Sequence, residues 1–237
     1  ATDTASRFDY TYTPDGNTAT WQRQFGSAPA SKFTLGYSRA DELTSAVLAD
    51  VANPATILKR YGYQYDPAGN RTSSQDGNTL GSSSHDNANR LTAIAGGGKL
   101  RVEGGTNEPA KVKVNGTDAK IGPGNLYEAW VDVTPGANTL TVEATDYAPS
   151  PNTATKSWSV NITGTPARSF GHDANGNMTG DGTRIYEWDA DNRLVKITWG
   201  AGSNKTTEYR YNPLGQRSER LEKNGSTTTA HHYYLYD

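Results

Sequence analysis

The stretch Tyr65-Asp66-Pro67-Ala68-Gly69-Asn70-Arg71-Thr72 carries the instructions for a tight β-hairpin. Asp66 can accept hydrogen bonds from amides further along the chain, and Pro67 presets φ near −65°. Gly69 can enter the left-handed region without steric cost. These are the demands of a type I turn followed by a G1 bulge, a three-residue loop between antiparallel strands. Tyr65 before the turn and Arg71 after it then lie on paired strands.

The template recurs along the chain. Tyr211-Asn212-Pro213-Leu214-Gly215-Gln216-Arg217 repeats it with Asn for Asp, and His172-Asp173-Ala174-Asn175-Gly176-Asn177 with His for Tyr. A second version places Asn at the left-handed position, the residue that tolerates it best after Gly. Its copies are Trp188-Asp189-Ala190-Asp191-Asn192-Arg193-Leu194 and His85-Asp86-Asn87-Ala88-Asn89-Arg90-Leu91. Weaker copies follow Tyr12 and Tyr37, and Tyr236-Asp237 reads as the opening of another, as though the chain were cut from a longer secreted polypeptide. A lone Asp-x-x-Gly is an ordinary surface turn. Seven, each preceded by an aromatic or histidine anchor, make a repeat. Arg184–Trp188 and Leu194–Trp199 alternate with period two and read as half-buried strands.

Composition agrees. Hydrophobic residues make up only 33% of the 237, well under the roughly 45–50% of ordinary globular domains. Tyr supplies 14 residues against 4 Phe and 1 Met, so the interior leans on rings whose hydroxyls need partners when buried. With 25 Gly and 11 Pro, turns are frequent and an all-β fold is predicted. A net charge of −2 offers no basic block for nucleic acid or an anionic membrane. The absence of cysteine removes thiolate catalysis and cysteine-ligated metals. No apolar run approaches the roughly 20 residues of a membrane span.

The alternating phrases Tyr65-Asp66-x-x-Gly69-Asn70 and Asp189-x-x-Asn192-Arg193-Leu194 resemble the signature of the RHS/YD-repeat proteins, which include polymorphic toxins, Tc toxin components and teneurins. The resemblance implies successive hairpins joined into an antiparallel strip, part of a secreted or cell-surface bacterial shell around a C-terminal cargo domain. Its partners would be adjacent repeats of the parent polypeptide and that cargo. This chain has too few copies for a closed compartment. The family's self-cleaving Asp-Pro-x-Gly-Leu type of motif does not occur, so autoproteolysis is not expected.

One spacing breaks the period: His85 to His172. The repeat signature vanishes between Ala95-Gly96-Gly97-Gly98 and Thr163-Gly164-Thr165-Pro166, both read as linkers. Between them lie Ala110–Val114 running into an Asn115-Gly116 hairpin signal, then alternating Tyr127–Val133, Thr139–Asp146 and Ser157–Ile162. The phrasing resembles bacterial Ig-like domains and predicts an inserted β-sandwich over 96–164, projecting from a strip formed by 1–95 and 165–237. Alternation permits inward Val112, Val114, Trp130, Leu140, Val142 and Val160, a core of its own.

Asp173, Asn175, Asn177 and Asp181 have oxygen-ligand spacing. Met178 stands where a calcium loop needs Gly, however, and the turn already accounts for Asp173. His231 and His232 would face opposite sides of a strand, and His85 and His172 take the anchor's place. A glycosidase needs two carboxylates across a cleft, yet the aspartates already have turn roles. Lys111 or Lys113 with Asn161 would suit an intramolecular isopeptide bond. In the insert, Trp130 and Trp158 read as core, while Tyr127 and Tyr147 are candidates for an aromatic surface that binds a glycan.

The sequence therefore points to a non-enzymatic structural segment requiring no metal or cofactor, with the insert as an outward recognition or spacer module. The repeat residues assigned to turns or packing are Tyr65, Asp66, Gly69, Asn70, Asp173, Gly176, Asn177, Asp189, Asn192, Arg193, Tyr211 and Gly215. A carbohydrate-binding or adhesive insert is the alternative, and a glycan-active enzyme fragment a third reading. Open strand edges also predict self-association.

Overall fold

The computed structural model describes residues 5–200 and 202–236; Asp237, second member of the terminal Tyr-Asp pair, lies outside them. The chain is nearly all β, in antiparallel sheets. It groups into two compact units, 1–83 with 95–166 and 84–94 with 167–237. This departs from the division that repeat spacing predicts, because the 96–164 segment packs with the first hairpins.

In the first unit, strands β1 (Arg7–Tyr12), β2 (Thr18–Gln24), β3 (Ser31–Tyr37), β4 (Leu43–Asp50), β5 (Ile57–Tyr65), β6 (Arg71–Asp76) and β7 (Thr79–His85) form an antiparallel meander. Cross-strand aromatics hold one face. Tyr10 lies opposite Trp21, and Trp21 opposite Phe33. Their rings stack at 6.2 and 5.3 Å, and the Arg23 guanidinium sits 5.2 Å over Phe33. Such pairs are the unit of sheet stabilisation, worth roughly 0.2–1 kcal/mol each.

After β8 (Leu91–Gly96), the insert contributes β9 (Gly98–Gly105), β10 (Ala110–Val114), β11 (Thr117–Asp118), β12 (Lys120–Ile121), β13 (Leu126–Val133), β14 (Gly136–Asp146) and β15 (Thr153–Gly164). One sheet runs β11-β10-β14-β15, and three strands in the order β12-β13-β9 face it. Asn115 and Gly116 both have positive φ, as the Asn-Gly signal predicts. Val112, Val114, Ala129, Val131, Val133 and Val142 fill the space between, with Leu140 and Val160 packed against them. Leu80 of β7 is fully buried in the same cluster. The sandwich core is thus completed by a residue of the hairpin strip.

The linkers and the projecting insert require correction. Gly98 opens strand β9, and a Cβ on Gly96 would fall 2.8 Å from Gly164 Cα. The two chain crossings touch because neither glycine has a side chain. Gly97 N and Thr165 N both donate to the Leu80 carbonyl, at 3.2 and 2.9 Å. Beyond the crossing, β9 lies against β5 and β6. Buried Ser73 and Gln75 accept from the outward amides of Lys99 (3.3 Å) and Arg101 (3.0 Å). At Lys99 and Arg101 the edge of β9 is therefore satisfied by side chains instead of another strand.

Trp130 also departs from expectation. Its neighbours Ala129 and Val131 point into the sandwich, so alternation sends the indole to the opposite face. There it meets Gly62, where a Cβ would sit 2.8 Å from Trp130 Cη2. Trp158 is 49% exposed and likewise not core.

In the second unit, the β7–β8 hairpin end is joined by β16 (Arg168–Ser169), which pairs with β8. A second antiparallel meander comprises β17 (Gly171–His172), β18 (Met178–Gly180), β19 (Arg184–Trp188), β20 (Leu194–Trp199), β21 (Lys205–Tyr211), β22 (Arg217–Asn224) and β23 (Thr227–Tyr233). The bounds of β19 and β20 coincide with the alternating segments read from sequence.

Replacing Gln75 with Ala leaves the Arg101 amide without its acceptor. The expected cost is about 1 kcal/mol, measured by urea unfolding, with faster amide exchange at Lys99 and Arg101. An unchanged midpoint with unchanged exchange would show that β9 is not held by this contact.

Candidate functional site: the repeat turns and the insert surface

All seven sequence copies form the same turn. Their first residues are Thr13, Ser38, Asp66, Asp86, Asp173, Asp189 and Asn212. In each, that residue's amide donates to the carbonyl four residues on, at 2.7–3.0 Å, and the amide three residues on donates back at 2.9–3.3 Å. The residue three positions on is Gly16, Asp41, Gly69, Asn89, Gly176, Asn192 or Gly215, and every one has positive φ. This is the predicted three-residue loop with its bulge, and the strand register shifts just before it at Tyr65 and Tyr211.

The capping side chains do the rest. Asp66 Oδ1 accepts from Ala68 N and Asn70 N at 3.0 and 2.9 Å, while Asn70 Nδ2 donates to Oδ2 at 3.0 Å. Asp173 is bonded in the same way by Asn175 and Asn177. In Asp86 and Asp189 the fifth residue is Arg, whose Nε reaches Oδ2 at 2.7 Å. These bonds hold the carboxyls of Asp86, Asp173 and Asp189 below their usual range. The leading cause is the Arg90 amide for Asp86, the Asn177 side chain for Asp173 and the Arg193 amide for Asp189.

Sequence reasoning missed the role of the anchor. Tyr37 donates its hydroxyl to Thr18 O (3.0 Å), Tyr65 to Leu43 O (3.0 Å) and Tyr211 to Leu194 O (2.8 Å). The Trp188 indole donates to Met178 O at 2.7 Å, and Tyr236 to Arg217 O at 2.9 Å. Every acceptor is the first residue after the preceding turn. In the copy anchored by His85, Ser83 Oγ takes the corresponding carbonyl of Arg71 at 2.9 Å.

Neighbouring turns also touch. Asn17 Nδ2 donates to Asp41 Oδ1 at 2.7 Å, and Asn177 Nδ2 to Asn192 Oδ1 at 2.7 Å. Arg90 Nη1 reaches Asp173 O at 3.2 Å. In each case the last residue of one turn bonds to the next copy. The Arg90–Asp173 bond spans the place where the insert interrupts the sequence.

The other candidates fall into place around these turns. Asp181 oxygens are occupied by Thr183 and Tyr186, and Asp173 by its own turn, as described. His231 bonds Glu219 at 3.0 Å and packs at a tilt against the Tyr233 ring. Lys111 and Lys113 on β10 are separated from exposed Asn161 on β15 by the intervening β14, which removes the isopeptide pairing. Glu128 and Glu42 line a cleft of about 420 Å³ with Tyr65 and Trp130. Although burial works against it, Glu128 is held below its usual range by Arg101 and Trp130 Nε1, at 2.7 and 3.1 Å. A general acid would need the opposite shift.

Of the two tyrosines proposed as a glycan surface, Tyr127 is only 9% exposed. It points into the sandwich beside Ala129 and Val131, so it offers no open platform. Tyr147 is 72% exposed at the tip after β14. Trp158, assigned to the core from sequence, is the aromatic that lines an open cleft, shared with the edge of Tyr127.

Stability from the depressed carboxylates has a defined sign. It is fully present above their ordinary value of 3.8 and is lost as pH falls through the lower folded values. Amide-exchange protection at Ala88, Arg90, Asn177 and Arg193 should therefore drop on acidification below that value. Leu214 and Gln216, capped by the neutral Asn212 side chain at 3.0 and 2.9 Å, should keep theirs. Equal loss in both sets would mean that carboxylate charge does not hold the turns.

No family model matches the chain. Among curated proteins it is 35% identical over 69 residues to the tRNA nuclease WapA of Bacillus subtilis (strain 168) and to the tRNA3(Ser)-specific nuclease WapA of Bacillus spizizenii. The aligned stretch is 29% of this chain and 3% of each of those proteins, so the chain spans a small fraction of the relatives it matches.

Proposed function

We propose that this chain is a non-catalytic structural segment of a secreted or surface bacterial RHS/YD-repeat protein. Its hairpins form part of a β-shell wall that encloses cargo, and the Ig-like 96–164 segment serves as an outward recognition or spacer module. The anchor bond carries this reading. At Tyr37, Tyr65 and Tyr211 the anchor hydroxyl fixes one hairpin to the carbonyl just after the preceding turn, so these copies specify where the next one lies. A device of that kind extends a sheet without making a cleft.

The use of the signature residues supports the same reading. Asp66, Asp173 and Asp189 have both oxygens bonded within their own turns, which leaves them unsuited to proton transfer. The nuclease activity in the names of the similar proteins belongs to chains far longer than the aligned stretch. A glycan-binding insert is the second reading, favoured by half-exposed Trp158 in its cleft.

Three measurements test the proposal. The purified chain should leave tRNA and polysaccharides intact, and cleavage of either by wild-type protein would overturn the non-catalytic reading. Tyr65→Phe and Tyr211→Phe should each lower stability by about 1 kcal/mol, and electron microscopy of the longer polypeptide containing this segment should place it in a curved β-wall. A segment packed instead around a catalytic cleft would refute the wall role.

A further inference from the structure

The outer edge of β15 is unlike that of β9. On β9, Ser73 and Gln75 satisfy the outward amides. On β15, pairing with β7 is confined to Thr163 and Gly164. Among the described residues no strand pairs with the outer side of Thr153–Ser159, and all seven are exposed.

The ladder shows which groups are free. Thr141 N donates to Asn115 Oδ1 at 2.7 Å and Thr141 O accepts from Asn115 N at 2.8 Å, so both point towards β10. Ser157 lies opposite Thr141. In an antiparallel pair its N–H and C=O must then point outward. Thr153, Thr155 and Ser159 share that parity. The alternate residues Ala154, Lys156 and Trp158 turn their side chains to the sandwich's inner face, where four strands face three. There they line a cleft of about 680 Å³ together with Gly104, Thr106 and Tyr127.

We propose that this edge binds an extended peptide by strand addition, its side chains entering the cleft at alternate positions. The backbone groups identify the ligand class, because a row of alternating N–H and C=O is complemented by another strand. Charge narrows it. Glu103 beside the cleft is paired with Arg101 at 2.8 Å and Arg60 at 3.6 Å, whereas Lys156 has no ion pair among the described residues. A lysine directed inward on an edge discourages indiscriminate pairing and favours a strand with an acid opposite it. The matching peptide has an apolar residue opposite Ala154, an acidic one opposite Lys156 and an apolar or aromatic one opposite Trp158. A second copy of β15 fits poorly, since Thr153–Val160 contains no acid. The inference rests on reading the insert as a recognition module; its failure would leave the wall role of the hairpins standing.

The test uses the whole chain and a fluorescein-labelled octapeptide alternating threonine with valine, glutamate and phenylalanine, read by anisotropy. Saturable binding is expected. Ser157→Pro removes an outward N–H without touching the β14 ladder and should weaken binding at least tenfold. Lys156→Glu should weaken it similarly, and a peptide with lysine in place of glutamate should recover it, an exchange that misfolding cannot mimic. No saturable binding at millimolar peptide would overturn the proposal. So would binding indifferent to Ser157→Pro but lost in Trp158→Ala, the behaviour of an aromatic glycan platform. A concentration-dependent dimer abolished by Ser157→Pro would assign the edge to a second copy instead.

Discussion

A backbone carbonyl just after a turn, and the side-chain tip that reaches it from the next copy, join successive hairpins within each meander. Neighbouring strands in a meander are already joined by ladder bonds, so sheet formation alone does not require this contact. What it adds is a relation between hairpins. Tyr65 on β5 donates to Leu43 on β4, fixing the ring over the start of the neighbouring hairpin's return strand. A phenylalanine would fill the same space without that direction. The tyrosine-rich composition then has a cause: a large ring for a thin sheet, with a hydroxyl that finds a carbonyl whenever it is covered.

The turn makes that carbonyl available at a constant place. With the capping oxygen bonded two and four residues ahead, and a positive-φ residue closing the loop, the first residue of the return strand appears at the same offset in all copies. Substitutions within the template respect this geometry. Ser38 Oγ accepts from Ala40 N and Glu42 N as the Asp oxygens do, whereas Thr13 accepts from Asn17 alone. Of the three residues with side chains where other copies have Gly (Asp41, Asn89 and Asn192), Asp41 and Asn192 accept a bond from the preceding turn.

How much of this was legible in the sequence follows from the range of each interaction. Turn chemistry spans five residues, and Asp66, Gly69, Asp189 and Asn192 could be assigned from the local phrase. The anchor bond joins residues 10 to 22 apart, as in Trp188–Met178 and Tyr65–Leu43, so the five-residue turn phrase does not display it. A fixed offset between anchors and preceding turns was the available clue. Alternation gave Trp130 a parity but not a side. The buried row proved to be Tyr127, Ala129, Val131 and Val133, because small residues fill a narrow sandwich and the indole fits over Gly62. Strand β9 was hidden behind Gly96-Gly97-Gly98, glycines that serve close crossing of two chains.

The same contrast between local and non-local explains where the molecule has freedom to interact. Hairpin turns use up their own polar groups, and the edge of β9 borrows Ser73 and Gln75 from β6. That loan depends on the insert lying against the strip, with Trp130 over Gly62 and Leu80 inside the sandwich. An insert held this way has one edge committed to its host. The other sheet ends at β15, whose inner-face residues stay exposed because the facing sheet has one strand fewer. Docking on the strip therefore stabilises a small, incomplete sandwich and occupies the edge of β9, while among the described residues the Thr153–Ser159 edge of β15 stays without a strand.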